Sequence, residues 1–282
     1  MVQPPSRAQA RHILTEALQG VYADARECQQ VVRLLLAHVL QLLPHQVALD
    51  LAQPLTDMQW ASLQRAQVRL LDHEPLQYVL GEAPFRNLIL AVGPGCLIPR
   101  PETEELVQWL LDDLPLDSTA HILDVGTGSG CIALAIQQER PHTQVTGWDV
   151  SPEALMWAKR NGSHLNLPVR FALQDIAQTT NLAGWDIVIS NPPYVAVEEA
   201  PLLESKVKDY EPHLALFAPA ADALFFYKQI LIKLQTGQTA YLELHSTTAQ
   251  KLILWIQVTL PNTQFELRHD LQRRPRMLKV SV

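Results

Sequence analysis

The chain has 282 residues, with 22 Lys or Arg against 29 Asp or Glu, which leaves a formal net charge of −7. That balance argues against a protein that grips a nucleic-acid backbone, where clustered Lys and Arg supply most of the affinity. A composition that is 48% hydrophobic and 18% charged excludes a disordered chain, and the length predicts one large α/β domain with an appendage, or two domains.

Between Ser6 and Asp72 the apolar residues recur at helical spacing. Leu14 and Leu18 come first, then a run from Val31 through Leu35 and Val39 to Leu43 that Pro44 stops. Thr56-Asp-Met-Gln59 reads as a capping box opening a helix over 57–71, so residues 1–80 predict a helical bundle without strands. Two apolar runs within 85–98, on either side of Gly93-Pro94-Gly95, predict a hairpin or paired extended segment. After a helix over 102–112 the chain alternates. Strands are predicted at 121–125, 144–149, 169–173, 186–190, 240–244, 265–268 and 277–282, with helices near 131–138, 152–161, 221–234 and 247–258. Seven strands with crossover helices imply a mostly parallel sheet covered on both faces, its last two strands antiparallel through the short link 270–276. The expected division is a helical domain over 1–82, a hairpin linker over 83–100 and an α/β domain over 101–282.

No apolar run of about eighteen residues occurs and MVQPPSRAQARH has no apolar signal core, so neither a membrane span nor secretion is expected and the expected location is cytoplasmic. Cys28, Cys96 and Cys131 are odd in number and far apart, as in a reducing compartment. Neither C-x-x-C nor H-E-x-x-H spacing is present, and no metal is expected.

Two motifs carry chemistry. Asp124-Val-Gly126-Thr127-Gly128-Ser129-Gly130 ends the first strand of the large sheet and opens a helix, where an open α/β sheet binds its ligand. The spacing is G-x-G-x-G rather than the G-x-G-x-x-G of pyrophosphate sites, which favours a cofactor without phosphates. Asp149 ends the next strand, where a carboxylate can accept both hydroxyl hydrogens of a ribose. Asp175 or its neighbour Ile176 can meet an adenine, though a solvated acid at a strand end needs no function.

Asn191-Pro192-Pro193-Tyr194 follows the apolar strand DIVIS. Consecutive prolines lack N–H groups and hold their carbonyls rigidly. An amide or aromatic amine is a poor nucleophile because its lone pair is delocalised. The Asn191 side-chain oxygen and the Pro192 carbonyl can each accept one of its N–H bonds and aim the developing lone pair at a methyl carbon, with Tyr194 stacked on the planar group.

Together these motifs resemble the S-adenosylmethionine-dependent methyltransferases, and more closely the peptide chain release factor glutamine N5-methyltransferase family, HemK or PrmC. The resemblance extends to Glu74-Pro-Leu-Gln-Tyr78, Leu97-Ile-Pro-Arg-Pro-Glu-Thr-Glu104, Asp149-Val-Ser-Pro-Glu-Ala-Leu155 and Tyr210-Glu-Pro212. It implies a seven-stranded Rossmann-like class I methyltransferase sheet, S-adenosyl-L-methionine as cofactor with S-adenosyl-L-homocysteine as product, and methylation of the Gly-Gly-Gln glutamine in class 1 release factors. It further implies that Gly126, Thr127, Gly128, Ser129 and Gly130 surround the methionine part, that Asp149 binds the ribose and that Ile176 lies beside the adenine. Asn191 then lies near cofactor and target amide alike, while Pro192, Pro193 and Tyr194 complete the glutamine slot. The helical bundle is then a docking domain for the release factor. From the charge and the hydropathy no direct contact with nucleic acid or membrane is expected, and a monomer is expected.

Some readings stay open. An amino-methyltransferase acting on an exocyclic amine of DNA or RNA offers Asn191 the same planar geometry, and a catalytically silent binding module would keep the motifs without turnover. Arg100 and Glu102 either shape the cleft or form a surface linker. Cys131 suits packing better than a thiolate, and Arg273, Arg274 and Arg276 suit a solvated turn better than a partner contact. Where the family has glycine, the chain has Leu216-Phe-Ala-Pro219 with Ala223, and Ser246 after Glu243-Leu-His. These departures are expected on the far side of the sheet, away from the chemistry.

Overall fold

A computed structural model describes residues 3–219, 222–270 and 272–282. It divides into two compact units, one of Met1–Gly81 with Glu204–Tyr210 and one of Glu82–Leu203 with Glu211–Val282.

The smaller unit is helical: α1 (Arg7–Leu18), α2 (Ala25–Leu40), α3 (Asp57–Leu71) and the short α4 (Leu76–Leu80). Reciprocal capping boxes open α1 at Ser6/Gln9 and α3 at Thr56/Gln59, satisfying backbone donors that a helix start leaves free. Leu14, Leu18, Val32, Leu35, Leu36, Leu63 and Leu70 are buried in its core. The run expected to continue to Leu43 is corrected. It ends at Leu40, where Gln41 turns left-handed (φ 54°), because the residue ahead of a proline disfavours helix and the chain must already be leaving it. Segment Glu204–Tyr210 completes this unit with α8 (Ser205–Lys208). Lys206 lies 3.3 Å from Glu27, and the Tyr210 hydroxyl bonds the Asp72 carbonyl and carboxylate at 2.7 and 2.9 Å.

In the larger unit β1 (Glu82–Phe85) and β2 (Leu88–Ala91) form an antiparallel hairpin. Its turn is Arg86-Asn87, not the expected Gly93-Pro94-Gly95. Arg86 accepts a positive φ of 51° because its guanidinium is held by Glu139, Gln108 and the Glu104 carbonyl. The glycines serve another end. A Cβ on Gly93 would lie 2.6 Å from the Trp157 ring, so that bend is glycine-rich to let the chain pass close to a helix.

Then follow α5 (Pro101–Asp113), β3 (His121–Val125), α6 (Cys131–Glu139), β4 (Gln144–Asp149), α7 (Pro152–Leu165), β5 (Arg170–Leu173) and β6 (Ile187–Ser190). The chain finishes with α9 (His213–Leu216), α10 (Phe225–Leu231), β7 (Thr239–Glu243), α11 (Ala249–Thr259), β8 (Gln264–His269) and β9 (Pro275–Ser281). The sheet order is β5-β4-β3-β6-β7-β9-β8, parallel from β5 through β7, with β9 antiparallel between β7 and β8. The α10 helix is shorter than the predicted 221–234, of which Ala221 lies outside the described residues. Leu271 of the predicted link 270–276 and Met1 and Val2 of the opening segment do as well.

Neighbouring residues of one strand feed opposite layers, as a pleated strand requires. Ile122, Ile189 and Tyr241 pack with α5, α6 and the hairpin, whereas Leu123, Val188 and Leu242 pack with α10 and α11. Burial on both faces explains why these strands read as continuous apolar runs. The strand order reverses between β3 and β6, so the carboxyl ends of β3, β4 and β6 open onto one crevice. Among the described residues no helix is long and apolar enough to cross a membrane.

Candidate active site

The crevice holds a cavity of about 230 Å³ at the switch point. Its floor is the loop after β3. The Gly126 and Thr127 N–H groups donate to the Trp148 carbonyl of β4 at 2.9 Å, and the Thr127 hydroxyl donates to Asp124 Oδ2 at 2.6 Å. Gly126 and Gly128 take positive φ values of 74° and 56°, and a Cβ on either would stand in open space. The loop thus exposes bare backbone to the cavity. Gly130, also left-handed, caps α6, where a Cβ would crowd Leu134 and Phe171 at 3.1 Å, and it does not line the cavity.

Asp149, at the end of β4, also lines the cavity. It accepts from Gly128 N–H and Ser151 N–H, both at 2.9 Å, so its orientation is fixed by backbone. Burial pushes its carboxyl up, and those same N–H groups oppose the shift. Gln174, Asp175 and Ile176 continue the wall after β5. Asp175 caps its own turn by accepting from Ala177 N–H at 2.8 Å, and Ile176 presents an apolar surface with Phe226 and Ile230. Arg100 is the basic residue among those lining the cavity. Its guanidinium is paired with the buried Glu211, whose other oxygen accepts from Ile98 N–H at 3.1 Å. Bare glycine backbone, an oriented carboxylate and apolar walls, with the cation already paired, suit a nucleoside cofactor without phosphates.

Asn191-Pro192-Pro193, just past β6, line the cavity as well. Ser190 anchors it by donating to the Val125 carbonyl at 2.6 Å. Asn191 Nδ2 donates to the Thr103 hydroxyl at 3.0 Å, and that hydroxyl donates to Glu243 Oε2 at 2.6 Å. Tyr194 is set apart from its neighbours. Its ring is stacked on His245 with centroids 5.5 Å apart and packs on the α10–α11 layer, bracing the loop rather than lining the cavity.

The expectation that the glycine-lacking segments lie away from the chemistry is corrected. Val195 N–H bonds the Leu216 carbonyl and Ala218 N–H the Val195 carbonyl, so the 216–219 segment forms the support of the Asn191 loop. Glu243 ends β7 beside β6, which brings it within reach of Thr103. Thr103, Glu211 and Glu243 are the site residues that sequence reasoning missed. Each stood in or beside a quoted motif, but only the folded chain brings Glu243 of β7 to Thr103 and Glu211 to Arg100 and Ile98. Cys131 stays protonated because burial pushes its thiol up to about 12.

Residues 103–212 match the methyltransferase small domain family, and residues 7–81 match the PrmC N-terminal domain family. The release factor glutamine methyltransferase of Flavobacterium psychrophilum is 34% identical over 275 residues, covering 94% of this chain and 95% of that one. Its namesake from Bacteroides thetaiotaomicron is 41% identical over 196 residues, covering 67% and 70%, and that from Lactococcus lactis is 36% identical over 231 residues, covering 81% and 85%. Among solved structures, the hMettl16 catalytic domain in complex with a MAT2A 3′UTR hairpin aligns with a TM-score of 0.50 at 18% identity, over 80% of this chain and 82% of that one, a likeness of fold. Sheet order, crevice, motifs and full-length similarity agree: the chain belongs to the release factor glutamine methyltransferase family.

Proposed function

We propose that the protein transfers a methyl group from S-adenosylmethionine to the side-chain amide nitrogen of the glutamine in the Gly-Gly-Gln motif of class 1 peptide chain release factors. The observation that carries this reading is the meeting, in one cavity of a chain of this family, of the Gly126–Ser129 backbone, the Asp149 carboxylate and the Asn191-Pro192 pair of acceptors.

In this reading the cofactor, when bound, supplies an electrophilic methyl group on a sulfonium. Gly126, Thr127, Gly128 and Ser129 offer close backbone approach to its methionine part, while Gly130 holds the turn. Asp149 accepts the ribose hydroxyls, and Ile176 covers the adenine. At the other end, Asn191 Oδ1 and the Pro192 carbonyl accept the two N–H bonds of the target amide, and Pro193 walls the slot. That pairing fixes the plane of the amide and turns its lone pair out of conjugation along one line. No strong base is needed, because the nitrogen proton becomes acidic only after the methyl has moved and is then lost to solvent. Orientation of this kind supplies up to about 7–11 kcal/mol of a barrier. The helical unit, matching the PrmC N-terminal domain, serves as the dock for the release factor.

The test offers labelled S-adenosylmethionine with purified release factor, with a variant whose Gly-Gly-Gln glutamine is replaced, and with single- and double-stranded nucleic acid. Label on the intact release factor alone is expected. Label on nucleic acid alone would keep the chemistry and overturn the substrate.

A further inference from the structure

The Asn191 amide has an acceptor end and a donor end of nearly the same shape, and which of them faces the cavity decides what it can hold. The structure sets that choice from behind. The Thr103 hydroxyl has one hydrogen, and it goes to Glu243 Oε2 at 2.6 Å. Only lone pairs then remain toward Asn191, so Nδ2 must be the end that turns to Thr103, at 3.0 Å, leaving Oδ1 for the cavity that Asn191 lines.

Glu243 is an expensive way to hold a threonine. Its side chain is 1% exposed, and among the described residues no Lys, Arg or His lies within ion-pair distance of it. A buried carboxylate without a close cation destabilises a fold, and an apolar residue of similar volume would pack there at lower cost. We infer that Glu243, acting through Thr103, is a positioning residue that holds the Asn191 amide with its oxygen outward, ready to take up an N–H group. The purpose of that acceptor rests on the methyl transfer proposed above; the relay itself rests on the geometry.

Titration supports the geometry. Burial pushes the Glu243 carboxyl up to about 7, outweighing the Thr103 hydrogen bond and the more distant charges of Arg276 on β9 and Arg100 before α5. Glu102 on α5 reinforces the rise, and the Tyr194, Tyr227 and Cys131 side chains also face this region in neutral form. Above that pH the ionised carboxylate commands the threonine hydrogen. Below it, the carboxyl hydrogen can itself go to Thr103 Oγ1, the threonine hydrogen is freed toward Asn191, and the amide loses its preferred orientation.

The experiment compares the full-length wild type with Thr103→Val, Thr103→Ser and Glu243→Gln. It follows kcat, cofactor affinity by calorimetry, melting temperature and the side-chain amide resonance of Asn191, identified by its loss in Asn191→Asp. The wild-type resonance and kcat are expected to titrate together with a midpoint about 7, and both titrations to vanish in Glu243→Gln. Thr103→Val is expected to lose about 10- to 100-fold in kcat with cofactor affinity held within about threefold, and Thr103→Ser to recover most of that loss. Unchanged kcat and resonance in Thr103→Val would overturn the relay. So would a parallel fall of kcat, cofactor affinity and melting temperature, which marks a merely structural threonine. Should the wild type label no release factor, the substrate reading falls, and the Asn191 titration alone decides the relay.

Discussion

Truncating Asn191 deletes an amide that lines the cavity and leaves the glycine loop and Asp149 in place. Asn191→Ala is therefore expected to lower kcat by about 100-fold or more, with the S-adenosylmethionine Kd by calorimetry within about threefold of wild type. Asp149 predicts the opposite pattern. It accepts from two backbone N–H groups, so Asp149→Asn sets an NH2 against one of them as donor facing donor. The cofactor Kd in the same calorimetry should rise about 10- to 100-fold, with saturated kcat changing far less. At this scale the glycine loop, Asp149 and the Asn191 loop were legible because each lies within a few residues of a strand end. Thr103 and Glu243 were not, since they stand 88 positions before Asn191 and 140 positions after Thr103 respectively, and no local pattern links residues so far apart. The stacking of Tyr194 on His245 was hidden for the same reason.

Among the elements, β4 must pass close under the glycine loop. A Cβ on Gly147 would lie 2.5 Å from Thr127 Oγ1 and 2.8 Å from Phe171 Cδ1. Gly147→Ala thus overpacks the contact between β4 and the loop and is expected to cost about 1–3 kcal/mol, read as a lower urea midpoint with unchanged slope. Asn161 of α7 ties the same region together, donating to the Ala91 and Ser129 carbonyls at 3.0 Å and accepting from Ala91 N–H at 2.8 Å. Strand and helix positions were readable from apolar runs and caps. The hairpin turn was misplaced because glycine and proline are strong local signals, whereas Arg86 takes its turn conformation only with distant Glu104, Gln108 and Glu139 to hold it. A local rule cannot see a conformation stabilised by tertiary contacts.

For the whole molecule, two buried carboxyls leave a mark on stability. Burial holds Asp124 and Glu243 each up to about 7. Unfolding returns both to the ordinary range near ~4, so between those values the folded chain binds more protons than the unfolded one. Their contribution to stability is full below the unfolded pKa and is lost as pH rises toward about 7. Asp124→Asn is expected to flatten that decline, narrowing the gap between urea midpoints measured at about pH 5 and about pH 8. An unaltered gap would show that Asp124 titrates normally. The architecture itself was legible in the change from helical spacing to alternating strand and helix, and the antiparallel last pair in the shortness of its connection. The assignment of Glu204–Tyr210 to the helical unit was not, because a segment of seven residues carries no period long enough to announce its partner.

The most direct test of the account is to locate the added methyl group. Release factor treated with this protein and S-adenosylmethionine is digested and sequenced by tandem mass spectrometry, beside a reaction with Asn191→Ala. The account predicts one methyl on the side-chain nitrogen of the Gly-Gly-Gln glutamine with the wild type and none with the variant. Methylation at any other residue, or undiminished methylation of that glutamine by Asn191→Ala, would contradict it.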